Sequence, residues 1–297
     1  MNESQLGRAI EALLVARNLR NMAIARRALR PGYYLRAARH LHRIDGTVII
    51  GTGFPVAGTF ETDGPVGAMA LYQALDALGA RPVIACGEQL AQVLDADFCV
   101  LPLTARNLAD AQAEADSHLA RLQPRAIVAI ECPGLAADGR YYNMRGDDIS
   151  ARCTLFDPFI GQAACPTLAI GDGGNEIGMG NISEVHRELD IRASVTRCDE
   201  LLLADISNWG AYGLIALLAL WAQRDLLADI APAAALDYLC QRGGVDGVTG
   251  ANTPTEDGLQ VQEGRDVIAQ LRQLTQFSTA LPPSHSDRQR GNNGTLP

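Results

Sequence analysis

Residues 167–180 read TLAIGDGGNEIGMG, and this stretch decides the fold. Its first four residues are apolar or β-branched, and five of the next ten are glycine. A short apolar run that ends in glycine predicts a buried strand followed by a turn. A strand this apolar on both faces is typical of a parallel sheet that helices cover on both sides.

The same pattern recurs along the chain, where short apolar runs alternate with segments of helical periodicity. Such alternation predicts parallel βαβ units with right-handed connections. We therefore predict an α/β fold, a mostly parallel sheet with helices on both faces, Rossmann-like and doubly wound. The predicted strands are Thr47–Ile50, Arg81–Cys86, Phe98–Leu101, Arg125–Ile130, Thr167–Ile170 and Glu200–Asp205. The predicted helices are Ser4–Arg30, Tyr34–Leu41, Pro65–Leu78, Gln89–Leu94, Leu108–Leu122, Thr154–Ala163, Ile182–Leu189, Gly210–Arg224, Ala233–Arg242 and Gln262–Leu274.

The chain divides into three predicted parts. Residues 1–45 form an N-terminal helical segment, and residues 46–279 form the α/β catalytic domain. Residues 280–297 are rich in Pro, Gly, Asn and Ser, which predicts a disordered tail. No apolar run approaches the roughly 18 residues of a membrane-spanning helix. We expect a cytoplasmic protein without a membrane partner; the Arg-rich N-terminus leaves the mitochondrial matrix open if the source is eukaryotic.

Composition excludes several classes of function. The net charge is −9, which argues against nucleic acid as a partner because phosphate backbones require clustered cations. The sequence contains no lysine. A pyridoxal-phosphate (PLP) enzyme needs a Schiff-base lysine, and a phosphate-binding P-loop needs its own lysine, so neither PLP nor such a nucleotide site is expected. The seven cysteines show no zinc-binding spacing.

Acidic or amide side chains beside glycine follow nearly every predicted strand. In open α/β sheets, ligands bind outside the carboxyl ends of the strands, so we expect these side chains to converge. Carboxylates brought together repel one another unless a cation neutralises them, and an all-oxygen ligand set without histidine favours Mg²⁺ or Mn²⁺. The predicted metal ligands are Asp63, Glu131, Asp172, Glu176 and Asp246, and the first four of these are also the predicted acid–base residues. The open alternative is that these acids cap helix N-termini.

A second set of residues is predicted to contact the substrate. Arg145, in the polar segment DGRYYNMRG (138–146), is the candidate for a substrate carboxylate, although it could instead pair with Asp147 or Asp148 at the surface. Backbone N–H groups at glycine turns could stabilise an oxyanion. Asn208 could bind ligand or cap the helix that follows it. The full predicted set is Thr52, Gly53, Gly64, Arg145, Gly173, Gly174, Asn175 and Asn208.

Several of these segments together resemble a known family, the C-terminal domain of D-glutamate cyclase-like proteins. The resemblance covers roughly residues 44–258 and implies an α/β fold and conversion of D-glutamate to 5-oxo-D-proline with loss of water, a step of D-amino acid metabolism. The segments are GTGFP (51–55), ETDGPVGA (61–68), GRYYNMRGDDIS (139–150), IGDGGNEIGMGN (170–181), SNWGAYGL (207–214) and GGVDGVTG (243–250).

Two other functions remain open at this point. The same acids and arginine would suit a Mn²⁺- or Mg²⁺-dependent phosphatase acting on a small phosphorylated metabolite. A module that binds an acidic metabolite without turnover is the non-enzymatic alternative. In every case the expected partner is a small acidic molecule, and a homo-oligomer is possible.

Overall fold

The computed structural model describes residues 1–189 and 191–278. Its centre is a six-stranded parallel sheet in the order β5-β4-β1-β6-β7-β8. Renumbered along the chain, this is the order 3-2-1-4-5-6 of a doubly wound Rossmann-like sheet, so the predicted fold class is confirmed. The strands are β1 (Thr47–Thr52), β4 (Arg81–Gly87), β5 (Val100–Leu103), β6 (Ala126–Ile130), β7 (Thr167–Gly171) and β8 (Glu200–Leu203).

Helices cover both faces of the sheet, as the apolar strands require. Side chains alternate across β1, with Val48 and Ile50 in one core cluster and Ile49 in the other. The first cluster is the larger and contains most of α9, which is buried along nearly its whole length. The helices are α1 (Glu3–Leu14), α2 (Met22–Ala25), α3 (Tyr33–Leu41), α4 (Pro65–Ala77), α5 (Glu88–Leu94), α6 (Leu108–Leu122), α7 (Asp157–Gly161), α8 (His186–Leu189), α9 (Ser207–Ala222), α10 (Pro232–Cys240) and α11 (Val261–Leu274).

Three predicted helices differ from the observed ones. The segment predicted as one helix over Ser4–Arg30 is broken after α1, and two asparagines with left-handed backbone angles lie in the gap, Asn18 and Asn21. The helix predicted over Thr154–Ala163 is only the short α7, which has Pro158 in its first turn, the place where a helix tolerates proline. The helix predicted over Ile182–Leu189 is a 3₁₀ segment, Met179–Val185, that continues into α8.

Two short hairpins were not predicted. One joins β2 (Pro55–Val56) to β3 (Thr59–Phe60), and the other joins β9 (Thr255–Glu256) to β10 (Leu259–Gln260). Both turn through a residue and a glycine with positive φ, as in type I′ turns. These strands are two residues long, too short for an alternating pattern to show. Both hairpins lie beside the candidate site described below.

The N-terminal segment packs into the larger core cluster. Leu6, Ile10 and Leu14 of α1 are buried there together with Tyr33 and Tyr34 of α3. Asp205, just after β8, donates its backbone N–H to the carbonyl of Leu14. The division at residues 45 and 46 into a separate segment and a catalytic domain stays a prediction, and the tail predicted over residues 280–297 lies outside the described residues.

Candidate active site at the carboxyl edge of the sheet

The candidate site lies where the strand order reverses, outside the carboxyl ends of β1, β6 and β7. In doubly wound sheets this is the place where the loops diverge and leave a crevice. The loop after β6 and the loop after β7 are joined by hydrogen bonds from Gly134 N–H to the Asn175 carbonyl and from Ile177 N–H to the Cys132 carbonyl, both 2.9 Å. The two loops therefore form one wall of the crevice.

Three of the predicted acids meet in this crevice. Asp63, Glu131 and Asp172 each offer one carboxylate oxygen to a group in which all oxygens lie within 4.8 Å of one another. All three side chains are buried. Glu131 holds this place with a left-handed backbone, φ 48°, a conformation that costs a non-glycine residue about 1–3 kcal/mol and is concentrated at functional sites. We refer to Asp63, Glu131 and Asp172 as the acidic trio.

The first turn of α9 binds all three members of the acidic trio. The N–H of Ser207 donates to Asp63 Oδ2 at 2.9 Å and to Asp172 Oδ2 at 3.2 Å, and its hydroxyl donates to Glu131 Oε2 at 2.5 Å. The N–H of Asn208 donates to Asp63 Oδ1 at 2.8 Å. Asp63 therefore does cap a helix, as the alternative held, but the helix is α9 from a distant part of the chain, and Asp63 also belongs to the acidic trio.

Burial raises the pKa values of all three acids of the acidic trio, and repulsion by neighbouring acids raises those of Glu131 and Asp172 further. Burial is the largest cause for each; nearby Glu176 and Asp63 raise the pKa of Glu131 further, and Glu131 raises that of Asp172. The N–H groups of Ser207 and Asn208 oppose the rise for Asp63 without cancelling it. Carboxyl groups in this state hold protons or bind a cation.

One arginine from the N-terminal segment reaches this crevice. Arg20 Nη2 lies 2.5 Å from Asp172 Oδ2 and 2.7 Å from Asp257 Oδ2. Desolvation lowers the pKa of Arg20, but the surrounding acids, Asp172 first, outweigh it and raise that pKa well above its ordinary value. The guanidinium thus stays charged and partly neutralises the acids. Sequence reasoning missed Arg20, since nothing local separates it from the other arginines of residues 17–30.

Three further acids were also missed, of which Glu61 and Asp257 line the cavity described below and Glu256 lies near Asp63. Glu61 is buried and its pKa is raised well above the ordinary range, first by burial and then by Asp257. Asp257 occupies the turn between β9 and β10, where burial raises its pKa to about 6 although Arg20 opposes the rise. Glu256 accepts a hydrogen bond from Trp209 Nε1 at 2.7 Å. The Asp257-Gly258 pair is a hairpin signal that could have marked this turn; Glu61 lay inside a recognised segment but next to the more obvious Asp63.

A cavity of about 610 Å³ opens onto these acids. Glu61, Glu131, Asp172 and Asp257 line it, as does Arg20. Two exposed arginines, Arg145 and Arg152, also line it. The cavity therefore combines buried acids with exposed cations, an arrangement suited to a small molecule that carries both a carboxylate and an amine.

Arg145 is not engaged by the acids expected to compete for it. Its Nη2 lies 3.5 Å from the carbonyl of Val248. Asp148 instead pairs with Arg140 at 3.3 Å, and Asp147 accepts from the Asn143 amide at 2.9 Å. The surface pairing held open for Arg145 is thus wrong, and its guanidinium remains accessible at the cavity.

In two predicted metal ligands, Glu176 and Asp246, the carboxylate oxygens accept hydrogen bonds from nearby loop residues. Glu176 Oε1 accepts from the N–H of Gly173 at 2.6 Å, and its Oε2 accepts from Gly174 at 2.7 Å. This bonding holds the 171–176 turn and also engages the two amides that were expected to face an oxyanion. Asp246 accepts four hydrogen bonds, among them Thr255 Oγ1 at 2.6 Å and Gly258 N–H at 2.7 Å. The geometry therefore assigns both acids to loop structure and not to the acidic trio.

Of the remaining predicted residues, Asn175 and Gly53 line cavities, and Asn208 and Gly64 do not line the 610 Å³ cavity. Asn175 lines the 610 Å³ cavity, and its Nδ2 donates a hydrogen bond to the Tyr142 carbonyl. The Oδ1 of Asn175 and the hydroxyl of the buried Thr52 have no hydrogen-bond partner among the described residues. Gly53 lines a neighbouring cavity of about 390 Å³. Asn208 accepts from the N–H groups of Gly64 and Gly67 at 2.9 and 2.6 Å and so ties α9 to α4. Neither Asn208 nor Gly64 lines the 610 Å³ cavity.

Comparison with known proteins identifies the family of this chain. The family described as D-glutamate cyclase-like, C-terminal, matches residues 10–272. The chain belongs to this family. The D-glutamate cyclase-like match includes Arg20, all three acids of the acidic trio and the β9–β10 hairpin.

A curated relative is the human protein named D-glutamate cyclase, mitochondrial. It is 35% identical over 198 residues, which cover 57% of this chain and 32% of the human protein. The chain thus matches about a third of the length of this relative. Within residues 1–189 and 191–278, no helix is long and apolar enough to cross a membrane.

Proposed function

We propose that this chain is a D-glutamate cyclase-like lyase that converts D-glutamate to 5-oxo-D-proline and water. The single observation that carries the proposal is the cavity in which buried acids of raised pKa face exposed arginines. Family membership and the name of the human relative support the substrate. The cytoplasmic location, with the mitochondrial matrix as the alternative, stays an expectation.

The reaction sets clear requirements for the site. The amine nitrogen attacks the carbon of the γ-carboxyl group, a C–N bond forms and one C–O bond breaks. Two protons pass from the ammonium nitrogen to the departing oxygen, which leaves as water. The site must therefore accept protons at one atom and supply them at another near neutral pH, as general acid–base catalysis requires.

Acids of raised pKa meet this requirement. Asp257, with its pKa near 6, lines the cavity and can both take and give a proton near neutrality. Glu61 lines the same cavity, and its pKa lies well above the usual carboxyl range, which makes it a proton donor. Arg145 is accessible at the cavity and binds the α-carboxylate through its planar guanidinium.

The residues of the acidic trio fit a divalent cation. Their donor set is all oxygen, and their oxygens lie within 4.8 Å of one another. A divalent charge would also relieve the repulsion that raises the pKa values of Glu131 and Asp172. We propose that Asp63, Glu131 and Asp172 hold Mn²⁺ or Mg²⁺. When bound, the cation supplies Lewis-acid polarisation of the substrate carboxyl group. In the described part of the chain the acidic trio is the one such group, which supports one cation and not the closely spaced pair typical of phosphoryl transfer.

The test is turnover by the purified, metal-stripped protein. D-glutamate is supplied with and without added Mn²⁺ or Mg²⁺, and 5-oxoproline is followed by chromatography, with L-glutamate in parallel. Metal-dependent formation from D-glutamate is the expected result. Phosphate release from a phosphomonoester without cyclisation would favour the phosphatase. No turnover in either assay would favour the binding module.

A pair of variants makes the test specific to the acidic trio. Asp172→Asn should abolish metal-dependent turnover because it removes an anionic ligand. Asp157→Asn is the matched control: Asp157 is also a buried acid, but it bonds Leu135 N–H and Tyr141 Oη outside the acidic trio. Unchanged activity in Asp172→Asn would remove this residue from the site.

A further inference from the structure

The guanidinium of Arg20 has one terminal nitrogen, Nη1, that is free of hydrogen bonds to residues 1–189 and 191–278. Nε donates to the Asp172 carbonyl at 3.1 Å, and Nη2 donates to the Asp205 carbonyl at 2.9 Å while pairing with Asp172 and Asp257. Nη1 makes no hydrogen bond with any described residue. The side chain is 15% exposed, and it lines the cavity. Arg20 is thus a charged residue of the cavity lining whose guanidinium is held through Nε and Nη2.

The backbone segment that precedes Arg20 is held by hydrogen bonds to the carboxylate of Asp205. Asp205 Oδ2 accepts from the N–H of Arg17 at 2.7 Å, and Oδ1 accepts from the N–H of Leu19 at 3.4 Å. These bonds hold residues 15–21 out of helical geometry and against the end of β8. Such preorganisation removes the entropic cost of ordering an arginine when a ligand binds.

The acids around Arg20 create a difficulty for an anionic substrate. A dicarboxylate that enters the cavity meets three buried acids, Glu61, Glu131 and Asp172, and the half-buried Asp257. In the part of the chain that the structure describes, Arg20 is the cation in ion-pair contact with these acids. An arginine suits this place because its guanidinium carries five N–H donors, so it can bind the protein through Nε and Nη2 and still offer Nη1 to a carboxylate.

We propose that Arg20 binds the γ-carboxyl group of the substrate through Nη1. This inference rests on the proposed function and assigns the two ends of the substrate: Arg145 takes the α-carboxylate, and Arg20 takes the carboxyl group that reacts. When the amine attacks, negative charge grows on the γ-carboxyl oxygen, and a donor already fixed there stabilises that charge. Arg20 is then a catalytic residue supplied by the N-terminal segment.

The experiment measures binding of glutarate, a dicarboxylate that lacks the amine and cannot cyclise. Affinity is determined by calorimetry, in the presence of the divalent cation used for turnover, for the unsubstituted protein, Arg20→Lys and Arg20→Gln. Arg20→Lys keeps the charge beside Asp172 and Asp257, so it guards against loss of the fold. Arg17→Gln is the matched control, because Arg17 lies in the same segment but pairs with Glu263 and does not line the cavity.

We expect glutarate to bind the unsubstituted protein and to bind Arg20→Lys about tenfold more weakly, the usual loss for a charge-assisted hydrogen bond. Arg20→Gln should lose more, and Arg17→Gln should change the affinity by less than about twofold. D-glutamate turnover is measured on the same proteins, and there kcat of Arg20→Lys should fall because the donor acts on developing charge.

The two proposals fail in different ways. Glutarate that does not bind the unsubstituted protein, or that binds the Arg20 variants equally well, overturns the role of Arg20 whatever the turnover assay shows. Absence of D-glutamate cyclisation, with glutarate affinity that still depends on Arg20 and not on Arg17, overturns the proposed function and leaves Arg20 as a carboxylate-binding residue.

Discussion

The hydroxyl of Ser207 donates a hydrogen bond to Oε2 of Glu131 across 2.5 Å. The bond joins the first residue of α9 to the residue that follows β6, 76 positions earlier in the chain. Because the N–H of Ser207 also binds Asp63 and Asp172, one small residue contacts every member of the acidic trio. The packing of α9 on the sheet therefore sets the spacing of the candidate catalytic acids.

Removing that hydroxyl should change the titration of Glu131. Burial and neighbouring acids raise the pKa of Glu131, and the bond from Ser207 opposes the rise. In Ser207→Ala the pKa of Glu131 should therefore rise further, so that Glu131 becomes ionised only at a higher pH. We expect the acidic limb of the kcat/KM profile to move to higher pH and activity at neutral pH to fall about tenfold. Ser150→Ala, which removes a hydroxyl bonded to exposed Asp148, should leave the profile in place; an unmoved profile in Ser207→Ala would contradict the role.

Gly64 should tolerate no side chain. Its φ is 87°, and a Cβ there would lie 2.6 Å from Glu131 Cβ and 3.0 Å from the Ile130 carbonyl oxygen. Gly79 is a matched control, since its φ is 88° and a Cβ there would meet nothing within 4 Å. Gly79→Ala should cost about 1–2 kcal/mol in unfolding free energy from backbone strain alone. Gly64→Ala should cost at least about 1 kcal/mol more and lower activity, as measured by urea unfolding and turnover; equal costs would show that the contact with Glu131 is unimportant.

Arg145→Ala should raise KM far more than it lowers stability. The side chain is exposed and has one long contact, to Val248, so the fold gains little from it. Loss of a bidentate partner for the α-carboxylate should raise KM about tenfold or more. Arg140→Ala removes a nearby exposed arginine that is paired with Asp148 and does not line the cavity, so KM should hardly change. Unfolding of Arg145→Ala would contradict our assignment.

Glu256 should make the protein less stable as pH rises. Burial, and then Asp63, raises its pKa from 4.5 to about 8 in the folded protein, although Trp209 Nε1 opposes the rise. A raised folded pKa means that its stabilising contribution is complete below about pH 4.5 and is lost as pH rises through about 8, at no more than about 1.4 kcal/mol per pH unit. Glu256→Gln, measured by urea unfolding between pH 5 and pH 8 (roughly the linkage window), should therefore show a flatter stability profile than the unsubstituted protein. Glu88→Gln, an exposed acid paired with Arg106, should keep the original slope.

The sequence pattern predicted the architecture because a strand that is buried on both faces consists almost entirely of apolar residues. Thr167–Gly171 and Ala126–Ile130 read as short apolar runs since helices cover each side of them. The helix Leu108–Leu122 was predicted to the residue, as its cap Asn107 and its periodicity are both local. The same logic placed Asp63, Glu131 and Asp172 at strand ends, where a parallel sheet brings them together.

What the sequence determined, then, is the six strands of the parallel sheet, most of the helices that cover them and the acids that follow the strands. Only the tertiary structure decided which of those acids meet: the oxygens of Asp63, Glu131 and Asp172 come within 4.8 Å of one another, whereas Glu176 and Asp246 do not belong to this group. It alone also brought Arg20 from before the first strand and Asp257 from a two-residue hairpin to the same cavity. The physical reason is that local periodicity records burial, whereas contacts between segments far apart in the chain decide which charges meet, as for Arg20 and Asp172, which are 152 positions apart.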